Sequence, residues 1–459
     1  LTGFTRLTET RRDHPGFGSR MKKLTISVSF FLLLTLPSLA DGRARLDPTF
    51  GDGGIVVTSG DSVKGKILRA NAVVETPRGQ LVTLGNGNGS GVMIKLDQSG
   101  ERVRKFGRNG ILQLGNLVKR GTFARGVDLT INGRGTLFPV GSLGDKFATT
   151  DHNCLVLSRF APDGILDLGF ANGGRGIECL RRGDGREYGL GAYSIDLTGE
   201  GKLLVSGNTL QPRPPRQRTP FVARFKRNGS LDRTFAGGPR TRSGTPGLLL
   251  TPRTNRTQNS VVDEVRSLRE RKVLGVGALR REMFAFRLNP NGTFDSSFGR
   301  NGIFRLDRSK FGRDLPGEAV GVDFDRRGRI VVAGYLDSPD GADLVVFRLT
   351  KRGRLDRTFG NGGVAYPDLG SFLPRRIAIQ PDEKFLVAGG GYSRNRGFAI
   401  ARLTPRGFLD TRFFDSGLFY SRPSLGGFAE DVMIDRRGRI VATGGGGLGA
   451  VVVRILPGG

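Results

Sequence analysis

One short phrase, built around a phenylalanine and followed by glycines, recurs seven times along the chain. Its first copy reads Leu46-Asp47-Pro48-Thr49-Phe50-Gly51-Asp52-Gly53-Gly54. The anchors are Phe50, Phe106, Phe170, Phe235, Phe298, Phe359 and Phe413, spaced 56, 64, 65, 63, 61 and 54 residues apart. A steady period of this size is the signature of a repeat architecture, so one unit describes the whole fold. It also limits functional reading, because a residue present in every unit serves the unit itself.

Each unit holds four apolar runs. The first follows the double glycine, as in Ile55-Val56-Val57-Thr58 and Ile303-Phe304-Arg305-Leu306. The second and third flank a polar turn, as in Ala319–Phe324, then Asp325-Arg326-Arg327-Gly328, then Arg329–Gly334. The fourth ends in a basic and an apolar residue, as in Phe286-Arg287-Leu288 and Phe347-Arg348-Leu349, and a turn such as Asn289-Pro290-Asn291-Gly292 follows. Short β-branched runs bounded by Gly, Asn, Asp and Pro read as strands and hairpins. Four strands in roughly 60 residues suit a propeller blade. No 3.6-residue apolar period competes. The expected fold is all-β: a seven-bladed β-propeller of four-stranded antiparallel blades. The chain enters at the phrase without a preceding Arg-Leu strand and leaves at Val453-Arg454-Ile455 without a following phrase. Pairing of the N- and C-terminal parts is therefore expected to close the ring and remove the open sheet edges. In the fourth unit Arg266-Ser267-Leu268-Arg269-Glu270-Arg271-Lys272 replaces the polar turn, which puts that unit's second strand in doubt.

Arg287-Leu288-Asn289-Pro290-Asn291-Gly292-Thr293-Phe294-Asp295-Ser296-Ser297-Phe298-Gly299 resembles the bacterial delta-60 repeat. The resemblance covers nearly all of 45–459. It implies a β-propeller and no established biochemical activity.

Residues 21–40 have a basic start, an apolar run from Leu24 to Leu36, and Ser38 and Ala40 at cleavage spacing. They read as a secretory signal peptide, the apolar run being short for a membrane span. An uncleaved anchor is the alternative. Residues 1–20 begin with Leu1 and are expected to be an upstream extension from a misassigned start, with Met21 first; a translated disordered extension is the alternative. The remaining 41–459 are expected to be a single propeller domain, secreted or in the cell envelope, monomeric, with no transmembrane span. Export permits a disulfide between the two cysteines, Cys154 and Cys179; two buried thiols is the other reading.

The formal net charge is +30. Residues 1–40 hold six basic and two acidic residues, so the rest carries +26. Such a surface attracts polyanions in a salt-sensitive way. Export argues against a physiological nucleic-acid partner and for a protein or an acidic cell-envelope polysaccharide.

With no tryptophan and His152 alone after residue 40, histidine triads and multi-histidine metal sites are nearly excluded. Asp196, Asp263 and Asp323, with Asp128 close by, sit in or near the second strand of their units. Should that strand line the central channel, these acids would converge on a divalent cation, which favours several oxygen ligands. Otherwise they flank turns or pair with arginine, and no cofactor is expected. The repeated Asp47, Asp167, Asp232, Asp295, Asp356 and Asp410 and the repeated Lys95, Arg159, Arg224, Arg287, Arg348, Arg402 and Arg454 read as structural, with an Arg–Asp contact expected between blades.

Alternating strand direction puts the short regular turns on one face and the variable loops on the other, where function is carried on a rigid scaffold. The longest insertions, 208–220 with Arg213, Arg216 and Arg218 and 252–260 with Arg253 and Arg256, belong to neighbouring units and would form a basic patch. The expectation is a binding or scaffolding module acting through these loops. The alternative is a carboxylate- and cation-dependent hydrolase or lyase working in the central channel.

Overall fold

The predicted strands form seven antiparallel sheets, with no α-helix among the described residues. The computed structural model describes residues 43–458 except 60–66, 88, 116–121, 145–153, 179, 182–186, 211–217, 237–246, 251–259, 308–314, 340, 392–396, 415, 422–426 and 447. A typical blade, the first, runs Ile67–Glu75, Leu81–Gly87, Ser90–Leu96 and Ile111–Gln113 in spatial order. The double-glycine strand is therefore the last of the preceding blade. The first strands of successive blades pack side by side in a ring, Phe428–Ile434 of blade 7 against Ile67–Glu75 of blade 1. Each of the seven apolar clusters is shared by two successive blades.

The two chain ends complete one blade. Arg45–Leu46 and Ile55–Thr58 both pair with Gly449–Leu456, with Val57 opposite Val451 and Leu46 opposite Ile455. A core of Phe50, Ala450 and Val452 with Ala70, Val92 and Ile94 seals blade 7 to blade 1 as the other joints are sealed.

The doubted strand of the fourth unit forms. Val261–Ser267 pairs with Val273–Leu279 through a single 3₁₀ turn, Arg269–Arg271. The Leu268 N–H donates to the Lys272 carbonyl at 2.8 Å, as the Asp325 N–H does to Arg329 at 3.1 Å. Glu270 and Arg271 supply the positive φ that glycine supplies in five of the other hairpins and Glu383 in the sixth. The hairpin tolerates the substitution because backbone hydrogen bonds define the turn.

The repeated basic residue is a three-way clamp. Arg224 Nε donates to Asp232 Oδ2 at 2.8 Å, its Nη1 donates to the Pro290 carbonyl of the next blade, and its guanidinium lies 4.6 Å from the Phe235 ring centre. Arg159, Arg287, Arg348, Arg402 and Arg454 repeat all three contacts. Lys95, whose unit has Val103 in place of the aspartate, keeps the carbonyl and the ring. The Arg–Asp pair thus lies within a blade, eight residues apart in five blades and between the two chain ends in the seventh (Arg454–Asp47), and not between blades as expected. The link between blades is arginine to carbonyl, because the guanidinium fork has donors left after the carboxylate is met. The anchor ring is also held by the next turn: a Cβ on Gly229 (φ +83°) would stand 2.6 Å from the Phe170 ring.

Candidate functional site

The first strands line the channel, and each is interrupted near its start by a one-residue bulge. A bulge leaves one side chain unpaired and re-aims it, here toward the axis. At the register shared by all seven blades the bulged residues are Asn71, Val127, Tyr193, Asp263, Val320, Arg375 and Glu430, and all seven line one recess of about 380 Å³; blades 1 and 2 carry a second shift nearer the strand start. The recess opens on the variable-loop side, where these strands begin.

One residue deeper, the positions are Ala72, Asp128, Ser194, Glu264, Gly321, Arg376 and Asp431. Here Arg376 of blade 6 joins three blades. Its Nη1 lies 3.1 Å from Glu264, its Nη2 3.3 Å from Asp128, and its Nε 3.5 Å from Asp431. Each acid also accepts a backbone N–H of the following blade: Glu264 from Val322 at 2.7 Å, Asp128 from Ile195 at 2.9 Å, and Asp431 from Val73 at 2.9 Å. Burial opposes the charge of Arg376, but the three carboxylates outweigh it and hold its pKa above the ordinary arginine value. Burial pushes Asp431 up to about 7 despite Arg376. The knot forms the floor of the recess.

Two residues deeper still lie Asp196, Arg266 and Asp323 on blades 3, 4 and 5. Asp196 accepts from the Ser267 N–H at 2.6 Å and Asp323 from the Ile379 N–H at 2.8 Å. Burial raises both carboxyl groups, and the Arg266 guanidinium between them acts in the opposite sense. Two of the acids read from sequence thus share one level with a protein cation between them, while Asp263 sits at the mouth, three residues nearer the opening. Among the described residues no group of three or more His, Cys, Asp or Glu side chains is disposed to hold a metal ion.

At the mouth, charge is unevenly distributed. Arg69 and Arg375 both contact Glu430, at 3.3 and 3.4 Å. Arg125 is exposed and forms no ion pair among the described residues. Across the recess, Asp263 faces Glu318, whose carboxylate accepts the Tyr335 hydroxyl at 3.1 Å. Burial, then the charge of Glu318 and a hydrogen bond shared with it, push Asp263 well above the carboxylate range. Its Oδ2 is buried without a hydrogen-bond partner. Tyr193 and Asn208 complete this wall.

Of the basic loop patch, Arg213, Arg216, Arg253 and Arg256 lie outside the described residues. Arg218 opens the strand Arg218–Phe225. Cys154 is buried at the start of Cys154–Ser158, and Cys179 lies outside the described residues. Sequence reading missed Arg376 and the mouth residues Arg125, Glu318 and Tyr335. The one available signal was Arg375-Arg376, two cations at positions where no other unit has a basic residue.

Three segments, 201–235, 281–298 and 380–413, match the model of a domain of unknown function (DUF5122) described as a beta-propeller. The match supports a β-propeller family. No curated protein matches the chain. A structure of an unknown-function protein from Dyadobacter fermentans DSM 18053 is similar at 12% identity over 89% of this chain and 99% of that one, with a TM-score of 0.44. The Dos1 propeller is similar at 9% identity over 89% and 84%, TM-score 0.44. A polysaccharide lyase of PL25, an ulvan lyase, is similar at 7% identity over 84% and 93%, TM-score 0.41. These are distant likenesses, and they carry no activity to this chain. No helix among the described residues is long and apolar enough to cross a membrane.

Proposed function

We propose that the chain is an exported binding module that takes an acidic saccharide at the channel mouth, on the variable-loop side. The observation behind this reading is the recess of about 380 Å³, floored by the Arg376 knot and edged by Arg125, which forms no ion pair among the described residues. Its size falls in the range of small-ligand sites. Arg125, Arg69 and Arg375 offer fork-shaped donors for a carboxylate or sulfate. Tyr193, Asn208, Tyr335 and Glu318 offer partners for hydroxyl groups. Residues 21–40 serve as the export signal in this reading, and Cys154 and Cys179 form a bridge.

Isothermal titration with a trigalacturonate, at low and moderate salt, tests it. Binding that survives moderate salt and weakens roughly tenfold in Arg125→Ala is expected, since a hydrogen bond to a charged group is worth about 1.5–3 kcal/mol. No binding, or equal binding by the variant, counts against it.

A second reading is a hydrolase or lyase at the same mouth. It is favoured by Asp263, which faces Glu318 with its Oδ2 buried and without a hydrogen-bond partner and whose pKa burial raises. Such a pair suits general acid–base work. Shortened or unsaturated products, lost in Asp263→Asn, would favour it over binding alone.

A further inference from the structure

On the short-turn face, opposite the recess, the clamps differ from unit to unit in one respect. In five units a second cation joins the phrase aspartate, from the residue just before the second strand. The pairs are Lys202–Asp232 at 2.9 Å, Lys272–Asp295 at 3.0 Å, Arg329–Asp356 at 3.0 Å, Lys384–Asp410 at 3.6 Å and Arg439–Asp47 at 3.5 Å. Strand register fixes which residue is equivalent elsewhere. Leu203 pairs with Phe225, Ile330 with Leu349 and Ile440 with Ile455. Leu137 pairs with Phe160 and Leu81 with Leu96 in the same way. The equivalents of Lys202 are therefore Thr136 in blade 2 and Gln80 in blade 1.

In blade 1 both members are absent together, since Val103 replaces the aspartate and Gln80 the cation. Blade 2 keeps Asp167 and has lost the second cation. It has also lost the phrase hydroxyl, because Gly169 stands where Thr234 and Thr358 stand. Among the described residues Arg159 is the one cation on Asp167, at 2.7 Å. The Asp167 side chain is 40% exposed, against 2% for Asp232 and 4% for Asp410. A groove of about 600 Å³ opens there between blades 2 and 3, lined by Thr136, Phe138, Arg159, Asp167, Leu197 and Arg227. On the same turn Ile165 and Leu168 are 66% and 68% exposed. Their counterparts are Ser230 and Arg233 in blade 3 and Arg354 and Arg357 in blade 5.

We propose that this groove docks one lysine or arginine side chain of a partner protein. The incoming cation completes on Asp167 the pair that five other units complete internally, and Ile165 and Leu168 meet apolar residues beside it. The chain's strong positive charge repels a basic partner at long range. Arg134 and Arg227 also stand at the groove. The fitting segment is therefore acidic apart from its one central cation.

The test uses a fluorescein-labelled peptide, Glu-Leu-Lys-Leu-Glu, and its twin with norleucine for lysine, followed by fluorescence anisotropy. The wild-type protein should prefer the lysine peptide roughly tenfold, the order expected for a charge-assisted hydrogen bond. Thr136→Lys should erase that preference by filling the groove from within, melt about 1–2 °C higher, and bind trigalacturonate as wild type does. An absent preference in the wild type, a preference kept by T136K, or a melting point that does not rise in T136K would each overturn the proposal.

Discussion

The rim of short turns and the mouth of the channel are built from the same seven units and follow opposite rules. At the rim, six of seven clamps use the same arginine, aspartate and aromatic ring, and the seventh changes two of the three together. At the mouth, the equivalent bulge positions hold asparagine, valine, tyrosine, aspartate, valine, arginine and glutamate. Repetition marks what each joint needs, since every joint meets the same geometry. Variation at positions of fixed geometry is not required by the joints and, in the proposed reading, serves a ligand, because a ligand on the axis would have no sevenfold symmetry. Groove and recess are both places where a unit departs from its siblings.

The largest expected effect breaks the boundary between the two regions. Arg376→Met removes the cation from three buried acids. Stranding buried charge costs about 3–5 kcal/mol, so urea unfolding should show a large loss of stability. A loss under about 1 kcal/mol would mean that the acids are satisfied by backbone donors alone.

Next is a single clamp. The Arg348 side chain is 4% exposed and holds Asp356, the Pro405 carbonyl and the Phe359 ring. Arg348→Ala should cost about 2–4 kcal/mol while leaving trigalacturonate affinity unchanged. An altered affinity in the folded variant would dissolve the contrast between rim and mouth. Exchanging Asp356 for alanine should act in the same direction.

The third effect appears as a slope against pH. Burial opposes ionisation of Asp232, but Thr234, Lys202 and Arg224 hold it well below the carboxylate range. Stability from such clamps is present above the unfolded value near 4 and is lost as pH falls further. Asp431 has the opposite sign. Its pKa is raised to about 7, so its contribution is full below about pH 4 and is lost as pH rises toward 7. It faces the Arg376 guanidinium, which stays charged over that window, and shares it with Asp128 and Glu264. Asp431→Asn should flatten the decline in stability between pH 4 and 7. An unchanged slope would show that Asp431 stays ionised in the folded protein.

The ring was legible in the sequence because the Phe-Gly phrase, the polar turn and the Arg-Leu strand end each recur with their own chemistry. Closure was legible because the two ends lack complementary pieces. The fourth hairpin was not, since a 3₁₀ turn with Glu270 and Arg271 at positive φ carries no turn signature. The clamp residues were recognisable, but Arg224 reaching Pro290 depends on how adjacent blades are set. The channel was the least legible. A one-residue bulge reverses which side chains face the axis, and ring packing, not local sequence, places it. Asp263 stands three residues from the level of Asp196 and Asp323 because it fills the bulge position itself, as Tyr193 and Val320 do in their units. The Arg375-Arg376 pair was visible in the sequence, but not that Arg376 reaches across the channel to acids of three other blades.

The most direct test compares one variant from each region in the same assay. Trigalacturonate is titrated into Arg125→Ala and Arg348→Ala at a temperature where both are folded. The account predicts that R125A melts like wild type and binds roughly tenfold more weakly, while R348A melts lower and binds like wild type. Equal binding by all three proteins, or a loss confined to R348A, would contradict it.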